Sequence, residues 1–257
     1  MYPAAPTQTF PIARRRVRWR WRRPTRLTVA WYGLLAVALF LAGNWVYQAI
    51  RKPIELLAPV SPLFAKTPRA TWAAYGDLFR QHSTSTISAE FLAALAQVES
   101  NGNPLARTYW RWQWSLSPFE IYRPASSAVG MFQITDARFR EAGRYCIRDN
   151  AVSDSCWFTA LYSRILPGDA TEMTSAHLDL SVRQTLRRHG RRAATPLQKE
   201  ALAAVVHLCG QQRADAFVRQ GFRALPGERC GDHRLGAYVE RVQRLTREFA
   251  SLGERRG

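Results

Sequence analysis

The sequence predicts a mainly α-helical domain with one small β-ribbon, preceded by a single transmembrane helix. Three observations carry this reading. A run of 24 residues from Leu27 to Ile50 contains no charge, and about 20 apolar residues suffice to span a bilayer core. Most segments after residue 68 repeat apolar residues every third or fourth position, the period of a helix with one buried face. One stretch, Thr108-Tyr109-Trp110-Arg111-Trp112-Gln113-Trp114-Ser115, instead alternates aromatic and polar residues, which is the period of a strand.

Residues 1–26 form a basic arm. Ten of the 37 Lys and Arg residues lie within the first 52 positions, where there is no acid; the remaining 27 against 19 Asp and Glu leave a net +8 of the total +18. The excess charge therefore belongs mostly to the arm, where Trp19 and Trp21 interleave with arginines next to the apolar run. That placement suits the anionic cytoplasmic leaflet, with the tryptophans at headgroup level. Eight arginines precede the run and Arg51 and Lys52 follow it, so the positive-inside bias puts the N-terminus in the cytoplasm and residues 53–257 in the periplasm. The run exceeds the length of a cleaved signal's apolar region and no small-x-small site follows it, which favours an uncleaved inner-membrane anchor at residues 27–50.

Residues 51–68, rich in proline, read as a linker or short stalk to a domain at 69–257. The first helix spans 69–82, with Trp72, Tyr75, Leu78 and Phe79 as core. A second follows Ser88 as N-cap, with Leu92, Leu95, Ala96 and Glu99 at i, i+3, i+4 and i+7. The spacing sets the Glu99 carboxylate on the apolar stripe at the helix end. It is either a last-turn residue chosen by propensity or an acid held against a core, in which case burial would raise its pKa and suit it to general-acid work.

Glu99-Ser100 at the end of this helix, the Asn/Pro-containing turn after it, and Ser127-Ala128-Val129-Gly130-Met131-Phe132-Gln133-Ile134 resemble the catalytic domain of lytic transglycosylases of the soluble-lytic-transglycosylase (SLT) type, relatives of goose-type lysozyme. The resemblance implies a lysozyme-like helical fold acting on peptidoglycan glycan strands, with Glu99 as catalytic acid and Ser100, Gly130, Met131 and Gln133 around the substrate. Tyr238-Val239-Glu240-Arg241-Val242 resembles the family's closing Tyr-Val-x-x-Val, which implies that Tyr238 lies near the acid. Two departures stand out. The 31 positions from Glu99 to Gly130 exceed the family's usual gap, and Val206-His207-Leu208-Cys209-Gly210 lies where the family has Ala-Tyr-Asn-x-Gly. His207 either takes over a polar contact to substrate or is a structural histidine. Within the longer gap, Trp110, Trp112 and Trp114 either stack on sugar rings or pack on the domain.

Further helices are expected from Asp136 to about residue 145, over 154–166 with Trp157, Leu161 and Ile165 on one face, over 171–189, from a Thr195 capping box through 208, and from Asp232 as N-cap to about 252. Cys146, Cys156, Cys209 and Cys230 all fall on the side that the topology places outside, where disulfides form. Four cysteines allow three connectivities, and 146 with 156 and 209 with 230 close the shorter loops. No spacing suits a metal, so neither metal nor cofactor is expected.

The expected activity is cleavage of the MurNAc-GlcNAc bond with formation of 1,6-anhydroMurNAc. A lysozyme-like hydrolase would need a second acid, for which Glu120, Asp136 and Glu141 are the nearest candidates. A non-catalytic peptidoglycan-binding scaffold is the rival from another class. General wall turnover and local opening of the wall for a secretion or conjugation apparatus both fit an anchored enzyme. Nucleic acid is not an expected partner of the main domain, since only the run from Arg14 to Arg26 resembles a nucleic-acid-binding arm.

Overall fold

The computed structural model describes residues 25–191 and 193–254; the arm with Trp19 and Trp21 lies outside them. The chain divides into two compact units, Met1–Gly43 and Asn44–Gly257. The described part of the first unit belongs to helix α1 (Arg26–Arg51), the one described helix long and apolar enough to cross a membrane. Most side chains along this part are exposed, among them Leu27, Trp31, Tyr32, Leu34 and Leu39.

The second unit is mainly helical. Helix α2 (Pro68–Gln81) starts at the Thr67 cap, and α3 (Ala89–Ser100) starts where the Ser88 hydroxyl accepts from the Phe91 amide. Small and apolar residues dominate α3, and everything from Phe91 to Gln97 is buried, so this helix forms the centre of the core. Helix α8 (Leu235–Glu254) packs most extensively against it, with Tyr238, Val242 and Phe249 turned inward. Trp72 of α2 lies between Phe79 and Phe249, with ring centroids 6.5 and 5.7 Å away. Helix α5 (Pro167–Arg188) and α6 (Pro196–Cys209) close the other side; α6 opens with the expected capping box between Thr195 and Gln198.

Three short antiparallel hairpins decorate this bundle. β1 (Trp110–Trp112) pairs with β2 (Tyr122–Pro124), with Trp112 opposite Tyr122, as the alternating stretch anticipates. β3 (Cys146–Arg148) pairs with β4 (Ala151–Ser153), and β5 (Arg229–Cys230) with β6 (His233–Arg234). The sulfurs of Cys146 and Cys156, and of Cys209 and Cys230, lie at disulfide distance, with Cα separations of 6.1 and 5.5 Å. These are the pairs that loop length favours.

Several expectations are corrected. No α-helix covers 154–166; β4 precedes that stretch and a single 3₁₀ turn (Thr159–Leu161) lies within it, while Trp157 and Leu161 are exposed. The backbone there is held by the Cys156 link to the β3–β4 hairpin and by the Ser163 amide donating to Asp169 at 2.9 Å. An apolar period with nothing to pack against does not make a helix. Helix α5 starts earlier than expected, with Pro167 in its first turn. α4 (Asp136–Ala142) is capped by Thr135 rather than by Asp136 and stops short of Tyr145. Asp232 belongs to the β5–β6 turn instead of capping α8, and α7 (Gln211–Arg219) is an additional helix. The stretch read as a stalk is two 3₁₀ turns held against the domain. Ile54, Glu55 and Ser61 are buried, and Asn103 Nδ2 donates to the Ser61 carbonyl at 2.7 Å.

Ser88→Ala removes the α3 cap and the hydroxyl's 2.6 Å hydrogen bond to Glu200. A loss of about 1 kcal/mol is expected in urea unfolding of the full chain. Replacing Cys209 and Cys230 by serine opens a link that spans 21 residues. The same assay should register a loss of about 3 kcal/mol.

Candidate active site

Glu99 ends the α3 core stripe with its side chain 16 % exposed. A carboxylate so placed needs donors to replace lost water. Two elements supply them. The Tyr238 hydroxyl of α8 donates to Glu99 Oε1, and His207 of α6 directs Nε2 at the same oxygen from 3.5 Å.

Behind His207 stands Arg138 of α4, which no motif or spacing singles out. Its Nη1 lies 3.1 Å from His207 Nδ1, and its Nη2 donates to the Val206 carbonyl at 3.0 Å and to the His207 carbonyl. A guanidinium only donates, so Nδ1 accepts and the hydrogen of a neutral imidazole sits on Nε2, facing Glu99. Burial and the Arg138 charge push the His207 pKa down despite the attraction of Glu99, which keeps the ring neutral. His177, packed near the same arginine, is pushed down to about 4, by burial first and then by Arg138.

This environment corrects the expected sign for Glu99. Burial pushes its carboxyl upward, as the spacing suggested. The His207 Nε2–H, through its hydrogen bond and local field, the Tyr238 hydrogen bond and the field of His233 outweigh it and hold Glu99 below its ordinary value. The unfolded chain has the higher pKa. Ionised Glu99 therefore stabilises the fold above about pH 4.3, and that stabilisation is lost as pH falls through the folded-state value. Tyr238 responds in the opposite sense: burial and the neighbouring carboxylate push its hydroxyl well up, so it stays a donor.

In front of Glu99 lies a cleft of about 570 Å³. Gln133 and Tyr238 line it, together with Tyr109, Arg107, Asp232, His233 and Arg241. Gln133 adopts a left-handed φ of 48° and donates its side-chain amide to the Gly130 carbonyl at 2.9 Å. Gly130 itself has φ 81°, and a Cβ there would overlap the Arg164 carbonyl oxygen, so this turn requires glycine. Met131 is fully buried, and its carbonyl accepts from the Ser100 hydroxyl at 2.8 Å. The same hydroxyl accepts from the Asn103 amide at 3.1 Å. Ser100, Gly130 and Met131 thus brace the cleft wall from behind.

Trp110 and Trp112 are not among the cleft-lining residues. The Trp110 indole donates to Glu55 at 2.8 Å, and Trp112 stacks on Tyr122 with ring centroids 4.6 Å apart. Of the acids considered as a second carboxylate, Glu120 pairs with Arg51 and Arg123, and Asp136 with Arg164; Glu141 lies 4.0 Å from His177. Among the described residues the cleft's other acid is Asp232, which accepts from the Tyr109 hydroxyl at 3.3 Å. The sequence flags neither Asp232 nor Arg138, because each acquires its place only through tertiary packing.

The His207 tautomer is directly measurable. In ¹⁵N spectra the neutral ring should carry its proton on Nε2, and it should take up its second proton at lower pH than an ordinary histidine. Arg138→Leu should abolish that fixed tautomer.

No curated protein matches the chain. A family model described as "Transglycosylase SLT domain" matches residues 78–188, the segment that contains Glu99, Gly130 and Gln133. Residues 78–188 are thus similar to a transglycosylase SLT domain, and the mainly helical fold and the Glu99 cleft agree with that likeness.

Proposed function

We propose that the protein is a membrane-anchored peptidoglycan lytic transglycosylase that cleaves the MurNAc-GlcNAc bond and leaves a 1,6-anhydroMurNAc end. The observation that carries this is one largely buried carboxylate, Glu99, held by two donors and opening onto a cleft with Gln133 on its wall. Glu99 in its acid form protonates the glycosidic oxygen as the bond from C1 to that oxygen breaks. As carboxylate it then accepts the proton of the MurNAc 6-hydroxyl, whose oxygen bonds to C1. The proton balance closes on Glu99 and no water is consumed, so no second carboxylate is required, unlike in the paired-acid glycosidases. Tyr238 and His207 hold Oε1 in position through both steps.

The free protein keeps Glu99 ionised, so the acid must load its proton when glycan enters. A sugar filling the cleft displaces water and withdraws the solvation that favours the charged form. Arg234 and Arg241, which line the cleft, suit an anionic substrate. Anchoring through residues 27–50, with the N-terminus cytoplasmic and the domain periplasmic, is supported by the length and composition of α1 and by the two cysteine pairs after it, which suit an oxidising compartment. Such an enzyme suits wall turnover or wall opening for a secretion or conjugation apparatus.

Purified peptidoglycan digested by the full chain should yield anhydro ends by mass spectrometry. Glu99→Gln should cut turnover by about 10²–10⁴-fold. Folded Glu99→Gln and wild-type proteins that release equally little would sink the proposal and favour a scaffold. The hydrolase reading has one structural point in its favour, the presence of Asp232 in the cleft; it predicts reducing ends that vanish in Asp232→Asn, whereas the transglycosylase keeps its anhydro products.

Because kcat/KM reports the free enzyme, it should rise as pH falls toward the low Glu99 pKa. Tyr238→Phe deletes a donor to the carboxylate, so the rise should begin at higher pH in that variant.

A further inference from the structure

The tip of the β1–β2 ribbon carries side chains that the cleft does not use. Trp112 is 65 % exposed, and Trp114 and Leu116 are fully exposed. A single exposed apolar residue is ordinary, but three large ones within five positions mark a contact surface.

What that surface meets follows from what holds the ribbon. Asn44 and Gln48 stand one turn apart on α1, and both are buried. Asn44 Nδ2 donates to the Tyr122 carbonyl at 2.7 Å and Gln48 Nε2 to the Phe119 carbonyl at 2.7 Å. Arg51, on the same face, pairs with Glu120 at 2.6 Å, and the Tyr47 ring stacks on Phe119 at 5.5 Å. The last two turns of α1 are thus a polar seam fitted to the ribbon's backbone.

These turns also end the charge-free run. Its 24 residues rise about 36 Å at about 1.5 Å per residue, against about 30 Å of hydrocarbon core. A helix that enters the core at Leu27 leaves residues 47–50 at the outer interface. The ribbon is bonded to those residues, and tryptophan is the side chain enriched at that depth.

We infer that the tip from Trp112 to Leu116 inserts into the interfacial layer of the bilayer that α1 crosses, a second and shallow membrane contact that fixes the domain's orientation at the surface. The inference rests on the anchored reading above. It gives Trp112 and Trp114 a lipid partner instead of a sugar, consistent with their absence from the cleft lining.

The test uses the full chain in phosphatidylethanolamine/phosphatidylglycerol vesicles, with a spin label at one of three sites: Val37→Cys on α1, Leu116→Cys at the ribbon tip, or Ser251→Cys on α8. Relaxation by oxygen, which concentrates in lipid, is compared with relaxation by a water-soluble nickel chelate. The labels at 37 and 116 should favour oxygen, with 116 the shallower, and the label at 251 should favour nickel. Adding Trp112→Ser and Trp114→Ser should return the 116 label to nickel accessibility. A 116 label as nickel-accessible as 251, or shielded from both reagents, while 37 faces lipid overturns the inference and leaves anchoring intact. A water-accessible label at 37 overturns the anchored reading, and the inference with it.

Discussion

A carboxylate at the end of a core helix is tolerated only because four helices converge on it. Glu99 ends α3, Tyr238 reaches it from α8, His207 from α6, and Arg138 from α4 fixes the imidazole. Removing a donor from this chain leaves a largely buried charge undersolvated, which is the costly direction of change for such groups. The packing of α8 and α6 around α3 brings Tyr238 and His207 to one oxygen, Glu99 Oε1. The family's Ala-Tyr-Asn-x-Gly is replaced here by Val206-His207-Leu208-Cys209-Gly210, yet a donor still arrives at the acid.

A second buried carboxylate ties the cleft to the segment after α1. Glu55 is fully buried and accepts from Arg107 at 3.0 Å and the Trp110 indole at 2.8 Å, with Lys52 Nζ 3.6 Å away. Arg107 lines the Glu99 cleft and Trp110 begins the ribbon. Residues 52–61 are thus part of the cleft's supporting wall. The cleft and the ribbon share this one anchor, so a domain cut from the chain after residue 61 would lose part of what shapes its site.

The parts of the fold legible in the sequence are those that local chemistry decides. Ser88 and the pair Thr195 and Gln198 announced their helices because caps satisfy amides within four residues. The cysteine pairs followed from loop length, and the ribbon from strict alternation. Residues 154–166 were misread because periodicity reports a stripe without reporting whether anything lies opposite it. The two- and three-residue hairpins and the short α7 are too brief for a period to register. At the site, spacing placed Glu99 correctly on the core stripe and so suggested burial. It could not reveal the donors of α4, α6 and α8, which reverse the sign of the pKa shift. Tyr238 became visible only through resemblance, and Arg138 not at all.

The most direct test of this account is the titration of the Glu99 carboxyl in the full chain, followed by ¹³C NMR without substrate. Donors that outweigh burial predict a pKa below the ordinary glutamate value of about 4.3, with a rise on Tyr238→Phe. A value well above 4.3 in the wild-type protein would contradict it, since burial would then dominate and the resting acid would already carry its proton.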